Sequence, residues 1–289
     1  MNIAVTGATG FVGQHLLRQL HERGDSVRAL LRQPDDGRLP RDVEVREVPL
    51  QALGPADLEG SDAVVHLAAS TGSDLDELRR SNRDGTRAVV SAALRADVSR
   101  IIHLSTTAVY DLAALGDVEI GEEAPLRTRG RPYGVTKAEA ERSLSVARDA
   151  GITVVVLRPS AVLGVGPTST WGTRVPDGIL RGRPRPMSPE ATRAWIHVTD
   201  LARALVAGLE VERSMTIHAV AGHTTVGAYL DHVGRMLGVP PNVPPEAGPP
   251  WRGRFCTDLL GRELDVRPTV DFDGAMEEIA GWWRGRGAR

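Results

Sequence analysis

The 289-residue sequence predicts an α/β protein built on a doubly wound parallel sheet with a smaller C-terminal lobe. Three observations carry that prediction. Short apolar runs alternate with helical periodicity through the first half of the chain. Those runs, such as Ala63-Val-Val-His-Leu67 and Thr153-Val-Val-Val-Leu157, are near-continuous, as strands buried on both faces of a parallel sheet require. The first of them opens the chain and leads directly into glycines at 7, 10 and 13.

In order, strands are expected at 2–6, 26–31, 43–48, 62–67, 101–105 and 153–158, with helices at 12–23, 84–96 and 134–149 between them. After Pro159 the periodicity loosens. Residues 160–192, rich in Gly, Pro and Arg, read as loops with one short helix. Helices return at 198–210, 225–237 and 273–286, with a strand at 216–220, and Val239–Pro245 reads as an ordered surface connection. The expected organisation is a sheet domain over 1–159, to which 193–220 returns. The smaller lobe is made of 160–192 and 221–289, over the carboxyl edge where open α/β sheets bind ligands.

Composition narrows the function classes. Hydrophobic residues make up 41% and charged residues 25%, with a formal net charge of −2, an ordinary globular balance without the basic footprint of a nucleic-acid binder. The single cysteine, Cys256, excludes an internal disulfide and fits a reducing compartment. The first residues read as a core strand rather than a signal peptide, and no run approaches the roughly 20 apolar residues of a membrane span. A cytoplasmic location is expected, with no metal and no membrane partner.

The strand, glycine turn and helix at the start form a phosphate-cradling corner of the Rossmann type. Gly7 permits the tight turn, Gly10 lets the backbone approach a pyrophosphate, and Gly13 lets the helix pack on the strand. Gly7, Thr9, Gly10, Phe11, Val12 and Gly13 are the candidate cofactor residues of this corner. The spacing is G-x-x-G-x-x-G rather than G-x-G-x-x-G. The second strand ends in Leu31 and Arg32, with no carboxylate before Asp35, where a NAD-binding chain places an acid on the ribose. A guanidinium there pairs with the 2′-phosphate of NADP, so NADP is expected ahead of NAD.

In Tyr133-Gly-Val-Thr-Lys137, phenol and ammonium lie one helical turn apart on one face. The cation is expected to lower the phenol pKa, so that the tyrosine exchanges a proton with a carbonyl or alcohol oxygen.

With these motifs in place, the chain resembles an extended short-chain dehydrogenase/reductase of the NAD-dependent epimerase/dehydratase family. The similarity spans nearly the whole chain and rests on Thr6–Gly13, Asp62–Ala69, Asn82–Thr86, Leu104–Tyr110, Tyr133–Lys137, Arg158–Ser160 and Arg193–Asp200. It implies that Leu67, Ala68 and Ala69 line the cofactor, with Pro159 at the nicotinamide and Lys137 on its ribose. It implies that Thr106 hydrogen-bonds the reacting oxygen, that Asn82 sits close to the substrate, and that Arg193 contacts a substrate diphosphate. His66 and His197 are implied to be structural. A homodimer formed through the helices at 84–96 and 134–149 is a further implication.

Departures from the family pattern narrow this. Thr107-Ala108 stands where nucleotide-sugar 4,6-dehydratases carry Asp-Glu, Asp111 replaces the glycine of V-Y-G, and Pro49 replaces an adenine-binding aspartate. The leading expectation is an NADP-dependent ketoreductase of a nucleotide-activated keto-deoxysugar. The alternatives are a NAD-dependent nucleotide-sugar epimerase, a reductase of a non-sugar ketone, and, remotely, a non-catalytic NADPH-sensing regulator.

Overall fold

The computed structural model describes residues 1–35 and 37–287, with side chains through 285. It divides into two compact units. The first comprises Met1–Asp111, Pro125–Arg158 and Ala202–Ile217; the second comprises Leu112–Ala124, Pro159–Leu201 and His218–Arg289. Leu112–Ala124, expected in the sheet domain, thus belongs to the second unit, and 202–217 is the part of the expected 193–220 return found in the first.

The described residues form twelve strands: β1 Asn2–Thr6, β2 Ser26–Leu31, β3 Glu44–Glu47, β4 Ala63–His66, β5 Arg100–Leu104, β6 Glu119–Ile120, β7 Thr153–Pro159, β8 Ala161–Leu163, β9 Thr192–His197, β10 Met215–Ala219, β11 Gly222–Thr225 and β12 Arg254–Phe255. The main sheet runs β10-β7-β5-β4-β1-β2-β3. β1 pairs in parallel with β2 on one side (Val5 opposite Ala29) and with β4 on the other (Val5 opposite Val65). The strand order therefore reverses at β1, and the glycine corner sits at that switch point, where doubly wound sheets bind ligands. One core cluster of this unit consists of Ala, Val, Leu and Ile alone, among them Ala4, Val64, Ile101 and Val154. Branched aliphatic side chains fill the layer between a parallel sheet and its helices without adding polar groups.

In the second unit β8 and β11 flank β9, β8 parallel and β11 antiparallel to it. The two-residue strands β6 and β12 form a separate parallel pair. Its core cluster includes Trp171, Met187, Trp195, Tyr229 and Met276. β8, β9 and β11 lie outside the expected strands. Thr192-Arg-Ala-Trp-Ile-His197 breaks its apolar run with arginine, and Gly222-His-Thr-Thr225 has no apolar face, so neither carries a strand signal. The expected helix at 84–96 is the last part of a longer one: a turn at Leu75–Leu78 and a π-helical stretch at Arg79–Asp84 precede Gly85–Arg95.

Candidate active site

The first unit builds its site where β1, β4 and β5 end. Gly7 has φ +74, and a Cβ on it would lie 2.8 Å from Ala68 N, so only glycine lets β1 turn against the end of β4. A Cβ on Gly13 would run into Gly7 O and Ala8 O, which is how closely the following helix packs on the turn. Gly10 donates its N–H to Gly7 O (3.0 Å) and caps the helix Phe11–Arg23, which starts without a side-chain cap or an acidic residue in its first turn. Helix N-termini left in that state favour an anion. Thr9, Phe11 and Val12 are half-buried on the same turn. Thr6 Oγ1 accepts from Ala68 N (3.2 Å) and so fixes the start of the Leu67–Ala69 segment.

At the end of β2, Leu31 is buried and Arg32 exposed. The Asp35 carboxylate accepts the N–H groups of Arg38 (3.2 Å) and Leu39 (3.4 Å), closing a turn. That turn brings Arg38 Nη1 to Thr9 O at 3.4 Å. Arg38 was not foreseen as a site residue. It lies beyond Gly37, at φ +87, and nothing in the local pattern says that the turn folds back over the glycine loop.

Thr106 follows β5. Its side chain accepts from Ala108 N (3.1 Å) and hydrogen-bonds the Tyr133 phenol. Tyr133 and Lys137 lie on the helix Pro132–Ser143, started by a proline that needs no N–H partner there. A Cβ on Gly134 would strike Ala108 O, so that glycine sets how close the helix comes to the Thr106 turn. Lys137, the only lysine in the chain, is 2% exposed and donates to Leu104 O (2.8 Å), with His103 Nε2 at 3.2 Å. Burial pulls its pKa down to about 8, opposed by Glu141. Burial likewise pushes the Tyr133 phenol up to about 12, opposed by the bond to Thr106. This corrects the expectation that Lys137 lowers the phenol: desolvation sets the direction, and Lys137 is not among the groups that shift it, its ammonium being engaged by β5.

Behind these residues lies a buried ionic network. Arg158 Nη2 meets Glu141 Oε2 at 2.6 Å, Arg158 Nη1 donates to Tyr110 OH at 2.5 Å, and Ser105 Oγ hydrogen-bonds Glu141. His66 is satisfied at both ring nitrogens, by Thr6 Oγ1 (2.7 Å) and Thr86 Oγ1 (3.0 Å), the structural place its resemblance implied. Asn82 is buried and well bonded. It is 1% exposed, its amide oxygen accepts from Ser70 N (2.8 Å), and its amide nitrogen donates to Ser70 O and Thr136 Oγ1 (both 3.1 Å). These bonds tie the Arg79–Asp84 stretch to the Ser70 segment and to the helix Pro132–Ser143.

Pro159 and Arg193 belong to the second unit. Pro159 is buried at the end of β7. Arg193, on β9, places its guanidinium 4.4 Å from the centre of the Trp171 ring, and Arg185 stands 4.9 Å from the same ring. Tyr229 packs edge-on to that indole (5.3 Å) and donates its OH to Trp171 O (2.6 Å). Buried His197 places Nε2 3.0 Å from a Glu278 carboxylate oxygen. Among the described residues no His, Cys, Asp and Glu side chains gather as a metal site, and no helix is long and apolar enough to cross a membrane.

Comparison with known proteins gives the family. The model of the NAD dependent epimerase/dehydratase family matches residues 3–221. A dTDP-glucose 4,6-dehydratase from Streptomyces niveus is 26% identical over 98% of this chain and 93% of its own. A 4-hydroxy-2-methyl-3-oxo-4-farnesyl-3,4-dihydroquinoline-1-oxide ketoreductase from Stigmatella aurantiaca is 34% identical, over 58% of this chain and 52% of that protein. The solved structure of MoeE5 in complex with UDP-glucose and NAD superposes with a TM-score of 0.86 at 26% identity, covering 100% of both chains. The glycine corner, the Tyr133–Lys137 turn and the family match together place the chain in the NAD-dependent epimerase/dehydratase family of extended short-chain dehydrogenases/reductases, as an NAD(P)-dependent enzyme.

Proposed function

We propose that the protein is an NADP-dependent ketoreductase acting on a nucleotide-activated keto-deoxysugar. One observation carries the reading: Thr106, Tyr133 and Lys137 are held in one unit, with Thr107 and Ala108 where a dehydratase carries its second acid–base pair. Glu141, the carboxylate one turn beyond Lys137, is bound by Arg158 and Ser105 and has no freedom to act as that acid or base.

The residues fit the dinucleotide. Gly7 and Gly13 let the turn and the helix close up against the strand ends so that the corner forms, the uncapped helix N-terminus suits a pyrophosphate, and Leu67, Ala68 and Ala69 would border the rings. Arg32 and Arg38 would hold a 2′-phosphate, a task suited to the guanidinium fork, while Asp35 is engaged by backbone N–H groups. When bound, the nicotinamide supplies the hydride. Thr106 holds the carbonyl oxygen, Tyr133 gives that oxygen its proton, and the Lys137 cation holds the ribose. Because Lys137 is a cation only below about pH 8, reduction falls as the pH rises through that value, well before the Tyr133 phenol ionises.

The sugar nucleotide is supported by Arg185 and Arg193 on Trp171, two cations on one indole in the second unit, and by the UDP-glucose of the MoeE5 structure. Tyr133→Phe is expected to lower turnover about 10²–10⁴-fold while leaving NADPH titration unchanged. Full turnover in that variant overturns the mechanism, and NAD retained stoichiometrically on purification turns the reading to epimerisation. A second reading, reduction of a non-sugar ketone, is favoured by the similarity to the Stigmatella ketoreductase. An unchanged KM in Arg193→Ala selects it. We also propose a homodimer through the helices Gly85–Arg95 and Pro132–Ser143, which sedimentation tests.

A further inference from the structure

The single lysine has a partner on β5 that no motif announced. An ammonium has only donors, so the imidazole nitrogen facing Lys137 Nζ at 3.2 Å, His103 Nε2, must accept. The ring proton of His103 then lies on Nδ1, a buried atom with no hydrogen-bond partner among the described residues. The neighbouring histidine, with its ring centre 5.2 Å away, has the opposite tautomer. Thr86 Oγ1 donates to Asn82 O (2.7 Å), so it accepts from His66 Nε2–H, and His66 Nδ1 accepts from Thr6. His66 is satisfied throughout; His103 leaves a buried N–H unpaired, an arrangement that an apolar side chain would avoid if packing were its only purpose.

We propose that His103 is a positioning residue for the reaction: as a neutral, Nδ1-protonated imidazole it holds the Lys137 ammonium between Nε2 and Leu104 O, leaving the third N–H for the cofactor ribose. The inference rests on the assignment of Lys137 to catalysis made above. A neutral acceptor orients the ammonium without cancelling its charge, as a contacting carboxylate would. The charged and titratable groups around the pair are His66 on β4, Tyr133 and Glu141 on the Lys137 helix, Arg158 on β7 behind Glu141, and Arg148 on the following helix, Ser145–Asp149. Burial and Lys137 keep both histidines neutral, His103 with its pKa well below the usual histidine range.

Because Lys137 is the only lysine, side-chain 13C/15N-lysine labelling of the full chain gives one ε-signal. Its titration midpoint is expected near pH 8 in the wild type and about one pH unit lower in His103→Leu. It should return in His103→Gln, whose amide oxygen reaches the place of Nε2. The alkaline limb of kcat/KM should move with it. In the unmutated protein, 15N-histidine spectra should show His103 protonated at Nδ1. A His103 proton on Nε2, or an unmoved lysine midpoint in His103→Leu, overturns the proposal, and the tautomer measurement stands even if the leucine variant fails to fold. If Tyr133→Phe and Lys137→Met lose turnover while the midpoint is unmoved, His103 is excluded and the catalytic reading stands. If the midpoint moves but both variants keep full turnover, the catalytic reading falls and with it the role of His103.

Discussion

The two units hold their interiors together differently. In the first, an aliphatic cluster lies against a regular sheet, and several buried polar groups pair with one another: His66 with Thr6 and Thr86, Glu141 with Arg158 and Ser105. The second contains all five tryptophans, and its rings reach out to backbone carbonyls. Tyr229 OH donates to Trp171 O (2.6 Å), Trp283 Nε1 to Gly172 O (2.8 Å) and Trp251 Nε1 to Gly116 O (2.7 Å). Strands in a ladder satisfy their own backbone, so their core needs only shape. Irregular segments leave carbonyls over, and amphipathic rings both fill the core and satisfy them.

The largest expected break in this comparison comes from the ionic network of the first unit. Glu141→Leu leaves the Arg158 guanidinium buried without its partner and should cost about 3–5 kcal/mol in urea unfolding followed by circular dichroism. Adding Arg158→Met should recover much of the loss. A Glu141→Leu protein as stable as the wild type would show that the pair contributes no more than packing.

Acid comes next. Unfolded histidine takes up a proton near pH 6.5, whereas folded His66 does so only at about 3, and His103 is depressed in the same direction. The unfolded state therefore binds more protons between those values. The contribution to stability is complete above pH 6.5 and falls by a few kcal/mol as the pH drops toward 3. Replacing His66 and His103 with apolar residues should flatten that slope, read as the denaturation midpoint against pH.

The smallest effect belongs to the second unit. Tyr229→Phe removes one donor from Trp171 O and should cost about 1–3 kcal/mol. Tryptophan fluorescence, which reports on that unit alone, should register it first.

Much of the first unit was legible in the sequence because parallel strands buried on both faces are unbroken apolar runs: β1 and β2 fall on the expected 2–6 and 26–31. The glycine corner and the Tyr133–Lys137 turn were legible for a related reason, since each fits within a few residues. The remainder depended on contacts between distant segments. His103 meets Lys137 across 34 positions, and a histidine inside an apolar strand reads as core. The bonds from Asn82 to Ser70 and Thr136, 12 and 54 positions away, are likewise not visible in the sequence. In the second unit, β11 is a polar run whose pairing comes from β9, not from its own pattern.

The lone lysine also has a use outside its proposed role. Its ε-amine is buried, and the other amine of the chain, at Met1, is tied to Asp25 at 2.9 Å. The remaining Lys/Arg side chains are arginines, which ordinary acylating reagents leave alone. A single covalent acyl mark placed away from the N-terminus would therefore map to one address, and its rate of appearance would measure how often the corner around Lys137 opens to solvent.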